Sequence, residues 1–197
     1  MEVTVANEEF PWHEHTDRSG THLSDVVHAY LAYIGVDADS GRYVAGTEEE
    51  VKKRRLMFEK GFLWEDALSR AFGSRMAHRP VESIELDGVR MSPDGIGVDA
   101  ETGEVCVEEY KCTRMNPVRG PDTVPRWIMQ VKAYCRAYGT TLCIFRIFHY
   151  AHDEYKVYRI RFTQQELEEN WAAIINYKRH IEKGGSDGGQ GQVGQDR

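Results

Sequence analysis

Two acids and a lysine stand at spacings that could do chemistry together: Asp94 in Ser92-Pro93-Asp94-Gly95, and Glu109 and Lys111 in Glu109-Tyr110-Lys111. The lysine lies two positions after Glu109 in an alternating segment, so on a strand both side chains leave the same face. Asp94 precedes Glu109 by 15 residues. A turn and parts of two strands fill that distance, so a hairpin could lay Asp94 beside Glu109. Two carboxylates and an ammonium then converge, a set suited to phosphodiester hydrolysis. Mg²⁺ takes oxygen ligands from a few carboxylates and retains waters. Such ions polarise the phosphate and lower the pKa of bound water. A nearby lysine orients or deprotonates the attacking water, or stabilises developing negative charge.

Each residue also has an ordinary reading. Asp94 in Ser-Pro-Asp-Gly suits a turn, and Glu109 with Lys111 suits a solvent-facing pair on an edge strand. The pair alternates in phase with Val105 and Val107. If those valines face the core, the charges follow them inwards, and an unpaired buried charge is expensive. A metal-bound cluster resolves that cost.

The elements that must position these residues follow from pattern. Residues 1–20 read as an irregular arm. Ser24-Asp25 precedes Val26, Val27, Tyr30, Leu31 and Ile34, an N-cap followed by apolar residues at helical spacing, and Gly35 with Asp37–Gly41 ends that helix. Thr47 and Glu50 form a capping box for a second helix through about Phe72, with Leu56, Phe62, Leu63, Ala67, Leu68 and Ala71 expected in the core and Gly61 as a kink or close contact. Strands follow: Ser83–Leu86 and Val89–Met91 flank the hairpin turn Asp87-Gly88. The segment Glu104–Cys112 alternates, with Val105, Val107, Glu109 and Lys111 on one face. After a polar loop, Pro125 opens a helix to Tyr138. Thr140–Tyr150 and Tyr155–Phe162 form a hairpin, and the box Thr163-Gln164-Gln165-Glu166 opens a last helix to about Glu182. Residues 184–197 are Gly- and Gln-rich and read as a disordered tail. The expected fold class is α/β: one domain over 21–183, a central mixed sheet flanked by helices.

Composition narrows the class. The 197 residues are 41% hydrophobic and 29% charged, a globular balance. No apolar run reaches a bilayer span, and no signal peptide is read at Met1-Glu2-Val3-Thr4, so a cytoplasmic protein without membrane contact is expected. The cysteines Cys106, Cys112, Cys135 and Cys143 form no C-x-x-C pair and read as free thiols. The net charge of −7 is unevenly placed: residues 1–50 hold 11 acids and 2 bases, whereas 51–183 hold 19 acids and 22 bases. Arg114, Arg119, Arg126, Lys132 and Arg136 face Asp122 alone within 114–136. That basic strip suits phosphate contact, or an ordinary solvated face.

Two further motifs flank the acidic cluster. Gly61-Phe62-Leu63-Trp64-Glu65 lies on the upstream helix, and Gln130-Val131-Lys132-Ala133-Tyr134 on the helix after the lysine strand, where i and i+4 share a face. Pro93-Asp94 with Glu109-x-Lys111 resembles the PD-(D/E)XK nuclease signature. The Gly61–Glu65 segment resembles the G-x-x-x-E element of the RecB-like nucleases, and Gln130–Tyr134 their Q-x-x-x-Y element. The stretch Val124–Val131 is similar to one in phage-type exonucleases of the lambda/YqaJ group, and Thr21-His22-Leu23-Ser24 resembles the helix-opening serine motif of RecB-like nucleases. The four main elements occur in the family's order across 61–134.

The resemblance implies a restriction-endonuclease-like core and a Mg²⁺-dependent DNA nuclease, with Mn²⁺ able to substitute. Glu65, Asp94, Glu109 and the main-chain carbonyl of Tyr110 would hold metal. Asp94, Glu109, Lys111, Gln130 and Tyr134 would form the catalytic set, with Lys111 serving the attacking water. Asp66 competes with Glu65 for its place. Arg114, Arg119, Arg126, Trp127 and Lys132 are the candidate DNA contacts, although Trp127 equally suits the core. No iron–sulfur cluster is expected, because the cysteines do not flank the nuclease elements. Exonuclease action in phage or bacterial recombination and repair leads, with an endonuclease or a non-catalytic DNA-end-binding protein as alternatives. DNA is the expected partner. The resemblance also allows a single-strand annealing or recombination protein and a homo-oligomer.

Overall fold

Two capping boxes start the longest helices of the computed structural model, which describes residues 19–36, 47–73 and 82–187. Thr47 N–H donates to Glu50 Oε2 at 2.8 Å and Glu50 N–H to Thr47 Oγ1 at 3.3 Å, opening α2 (Glu48–Gly73). The same exchange between Thr163 and Glu166, at 2.8 and 3.2 Å, opens α4 (Gln164–Asp187). Each box satisfies N–H groups that a helix start leaves orphaned. The first helix, α1 (Leu23–Tyr33), begins before the expected Ser24 cap: His22 takes the cap position with no side-chain hydrogen bond. Tertiary pairing sets that start, because Arg90 N–H donates to Thr21 O at 2.8 Å and His22 bridges Arg90. The last helix stays helical to Asp187, beyond Glu182 and into the expected tail. The arm before residue 19, the loop 37–46 and the tail after 187 lie outside the described residues.

The strands are β1 (Ile84–Leu86), β2 (Val89–Met91), β3 (Gly95–Val98), β4 (Val105–Thr113), β5 (Leu142–His149) and β6 (Glu154–Arg161). β1 and β2 form their own two-stranded ribbon about Asp87 and Gly88, whose φ of 51° and 70° meet the positive values of a tight hairpin turn. The main sheet is mixed, ordered β3-β4-β5-β6, with β4 and β5 parallel and the outer pairs antiparallel. The parallel pair requires a crossover, and α3 (Pro125–Ala137), started by Pro125, provides it. The expected α/β architecture is therefore present.

One sheet face packs on α1, α3 and α4. Val107, Cys143, Phe145 and Ile147 meet Leu23, Val27 and Leu31 of α1, Val131 and Tyr134 of α3, and Leu167, Trp171 and Ile174 of α4. The i, i+4, i+7 spacing in α4 and i, i+3 spacing at Val131 and Tyr134 give each helix an apolar stripe. The other face buries Cys106, Leu142 and Ile144. Val105, expected to continue the inner face, is 51% exposed where β4 enters the sheet. α2 differs most from expectation: of its six anticipated core residues only Leu68 is buried, while Leu63 is 51% exposed. No described helix is long and apolar enough to cross a membrane.

Candidate active site

Strand register builds the site. Gly95 lies opposite Glu108 in the β3–β4 pair, so the residue before it, Asp94, arrives beside Glu109. Tyr110 N–H fixes the aspartate by donating to Asp94 Oδ2 at 2.6 Å. Alternation along β4 then sends Glu109 and Lys111 to that side, where the Lys111 ammonium pairs with Glu109 Oε1. Glu109 is 2% exposed, and its Oε2 makes no hydrogen bond. A buried acceptor left open costs free energy, so this oxygen is where the site invites a cation or donor.

The electrostatics describe one interacting group. Burial raises Asp94 well above the usual carboxylate range, and Glu109 and Glu65 raise it further against the pull of Lys111. Glu65, delivered by α2, is raised by burial and then by Glu109. Burial alone would lower Lys111, but Glu109, Asp94 and Glu65 outweigh it and push the ammonium up to about 12. Burial also raises the Tyr134 hydroxyl, as do Glu109 and Asp94; Gln130, one turn earlier on α3, shares a hydrogen bond with it. Three mutually repelling carboxylates around one cation are held together at a cost, the arrangement expected of a functional centre.

A cleft of about 550 Å³ opens over this group. Its walls include Glu65, Asp94, Tyr110, Lys111, Arg114 and Arg126. The Tyr110 side chain turns to the opposite sheet face, where its hydroxyl donates to Glu108 Oε2 at 2.6 Å, so only its main chain faces the acids. Among the candidate DNA contacts, Arg114, Arg126 and Trp127 border the cleft. Trp127 is nevertheless a core residue, 8% exposed and packed on Phe145 at 5.7 Å between ring centroids, which leaves no free face for base stacking. Lys132 is turned towards α4: its ammonium lies 3.4 Å from Glu166 Oε1 and over the Phe162 ring. Arg119 is exposed on the loop before α3 and does not line the cleft. Asp66, the rival of Glu65, pairs with Arg70 at 2.7 Å on the helix surface.

Sequence reasoning missed the α2 wall of this cleft. Met57, Phe58, Lys60 and Phe62 border it with Gly61. The signal was available: stepping back from Glu65 by 3, 4, 7 and 8 gives Phe62, Gly61, Phe58 and Met57, one helix face. Phe62, expected in the core, lines the cleft instead. α2 runs unbroken through Gly61, and a Cβ there would meet nothing within 4 Å.

The architecture matches solved structures. An alkaline exonuclease, LHK-Exo, from Laribacter hongkongensis aligns over 83% of this chain and 88% of its own, at 16% identity and a TM-score of 0.53. The same exonuclease in complex with dAMP aligns over the same shares at 14% identity and a TM-score of 0.53. The protein SSO0001 aligns over 82% of this chain and 78% of its own, at 15% identity and a TM-score of 0.50. The fold is shared with this alkaline exonuclease. No family model and no curated protein sequence matches the chain. At such identities the likeness carries the fold, and the chemistry must be argued from the site.

The donor set suits a hard divalent cation: carboxylate oxygens, an open Glu109 Oε2 and carboxyls whose pKa values are raised by their neighbours. It is not a preformed cage, because among the described residues no three His, Cys, Asp or Glu side chains stand close enough to hold a metal ion together. The Lys111 ammonium occupies Glu109 Oε1 and already neutralises part of the acidic charge.

Proposed function

We propose that this protein is a divalent-cation-dependent deoxyribonuclease, with exonuclease action on DNA ends in recombination or repair as the leading form. The observation that carries the reading is Glu109: a buried carboxylate, tied to Lys111 through one oxygen and open at the other, beside Asp94 and Glu65. The fold shared with an alkaline exonuclease, one of whose structures holds dAMP, supports DNA as the substrate.

In this proposal Glu65, Asp94, Glu109 and the Tyr110 carbonyl hold Mg²⁺, with Mn²⁺ as a substitute. When bound, the cation supplies charge neutralisation and Lewis acidity at the phosphate. The chain's own groups do the rest. Tyr110 N–H keeps Asp94 oriented. Lys111, whose ammonium is held up by Glu109, Asp94 and Glu65, orients the attacking water or stabilises developing negative charge. The Tyr134 hydroxyl also stays protonated and acts as a donor near the acids, set by Gln130. Arg114 and Arg126 at the cleft wall contact the DNA backbone.

The test is cleavage of end-labelled linear and closed-circular DNA in Mg²⁺, Mn²⁺ or EDTA. Metal-dependent loss of linear DNA alone supports the exonuclease. Cutting of the circle as well converts the reading to an endonuclease. No cleavage of any DNA by the folded protein, with DNA binding intact, overturns the catalytic reading.

A further inference from the structure

Glu65 differs from the other acids of the site in how it is held. Asp94, Glu109 and Lys111 are fixed by the β3–β4 register and by a main-chain hydrogen bond. Glu65 comes from α2, a helix whose outer positions are widely exposed and of which, among residues with described burial, only Glu59 and Leu68 are buried. A carboxylate placed by such an element needs an anchor, because a displacement of about 1 Å in a catalytic group can cost about a hundredfold in rate.

The residue beside Glu65 supplies one. The Trp64 indole stacks on Phe148 of β5, with ring centroids 4.9 Å apart and an interplanar angle of 29°. Its other contact is edge-on with Tyr155 of β6, at 5.8 Å and 70°. Stacked and edge-on ring pairs stabilise beyond the area they bury, because the electron-rich face of one ring attracts the positive edge of another. Phe148 and Tyr155 face each other directly across the β5–β6 pair, so the two rings form one rigid seat. Tyr155 is itself hydrogen-bonded to Arg146, which pairs with Glu108 at 3.3 Å. The seat is thereby tied to β4, the strand that carries Glu109 and Lys111. The indole N–H is buried without a hydrogen-bond partner, so ring packing alone makes the anchor.

We infer that Trp64 is a positioning residue: its packing on Phe148 and Tyr155 sets α2 against the sheet and so places Glu65 in register with Asp94 and Glu109. The inference rests on the proposed metal-dependent nuclease reading. It assigns Trp64 no contact with substrate. It requires a flat aromatic ring and does not require the indole nitrogen.

The experiment compares wild type, Trp64→Ala, Trp64→Phe, Glu65→Gln and the Trp64→Ala/Glu65→Gln double variant, each checked by circular dichroism and thermal unfolding. Mn²⁺ affinity of the DNA-free protein is measured by calorimetry, and kcat and KM on linear DNA are measured alongside. Trp64→Ala is expected to weaken Mn²⁺ binding about tenfold, the scale on which outer partners of metal ligands act, and to lower kcat with KM for DNA unchanged. Trp64→Phe should recover most of both, and the double variant should be no worse than Glu65→Gln, because the two changes remove one contribution. A folded Trp64→Ala protein with wild-type Mn²⁺ affinity and kcat, or effects that multiply in the double variant, overturns the anchor alone. Wild type that neither binds Mn²⁺ nor cleaves DNA overturns the nuclease reading, and the anchor with it.

Discussion

Glu108 and Glu109 are neighbours on β4, equally buried at 2% exposure, and they point to opposite faces of the sheet. Each pairs with a cation, Glu108 with Arg146 and Glu109 with Lys111. Beyond that they differ. Glu108 also accepts the Tyr110 hydroxyl at 2.6 Å and packs so closely on β3 that a Cβ at Gly97 would lie 2.7 Å from its Oε1. That face holds a cavity of its own, of about 340 Å³, bordered by Glu108 and Arg146, and the pair ties β4 to β5. Glu109 keeps one oxygen open and faces two further acids, Asp94 and Glu65, which line the cleft of about 550 Å³. Two ion pairs of similar make thus serve different ends. The Glu108–Arg146 pair joins two strands, while the Glu109–Lys111 pair, set among further acids, stores electrostatic cost that a ligand can relieve.

This contrast can be broken at several points. The largest effect is expected from the open face: Lys111→Ala should lower kcat by about 10³-fold, within the range for a lost catalytic donor, while the protein stays folded. Steady-state cleavage of linear DNA checks it. The Glu108–Arg146 pair should answer in stability instead. Arg146→Ala leaves Glu108 buried without its cation and should cost about 3–5 kcal/mol in urea unfolding.

Acid titration sharpens the contrast. Burial and neighbouring carboxylates raise Asp94 in the folded state, so between its unfolded pKa and that raised value the folded chain holds the extra proton. Stability therefore falls as pH rises through this window. Asp94→Asn removes that penalty, and its Tm at pH 8 should exceed that of wild type by about 2–4 °C. The gain should shrink as pH falls towards the ordinary aspartate range. In the same window a divalent cation must displace protons from Asp94 and Glu65, so Mn²⁺ affinity should climb with pH, as calorimetry in buffers of differing ionisation heat would report. Lys111, also raised, runs the same way at higher pH: its contribution is complete below its unfolded pKa and is lost as pH rises through about 12.

The smallest effect separates residues within the basic strip. Arg126→Ala should raise KM for DNA a few-fold and reduce the salt slope of binding by about 1. Lys132→Ala should leave KM unchanged, because its ammonium sits with Glu166 on the α3–α4 side.

The acids and lysine were legible because each sits in a repeating local pattern: alternation aligned Glu109 with Lys111, and a turn between short strands returned Asp94 to them. Both capping boxes were legible because a box is a contact between residues three apart. What escaped depended on tertiary partners. The start of α1 follows Arg90 pairing with Thr21 rather than a side-chain cap. Phe62 of α2 reads as core by periodicity, yet it is 36% exposed and lines the cleft, since apolarity does not reveal which surface a side chain borders. Lys132 and Arg126 are indistinguishable by charge; only the rotation of α3 against α4 separates them.

The most direct test sets the two glutamates against each other: Mg²⁺-dependent cleavage of linear duplex DNA by folded Glu109→Gln and Glu108→Gln proteins beside wild type. Glutamine preserves shape at both positions and removes charge. Loss of cleavage by about 10³-fold in Glu109→Gln, with Glu108→Gln within about tenfold of wild type, is the predicted result. Equal cleavage by both variants, or a Glu109→Gln protein as active as wild type, would contradict the assignment of the catalytic centre to this face of β4.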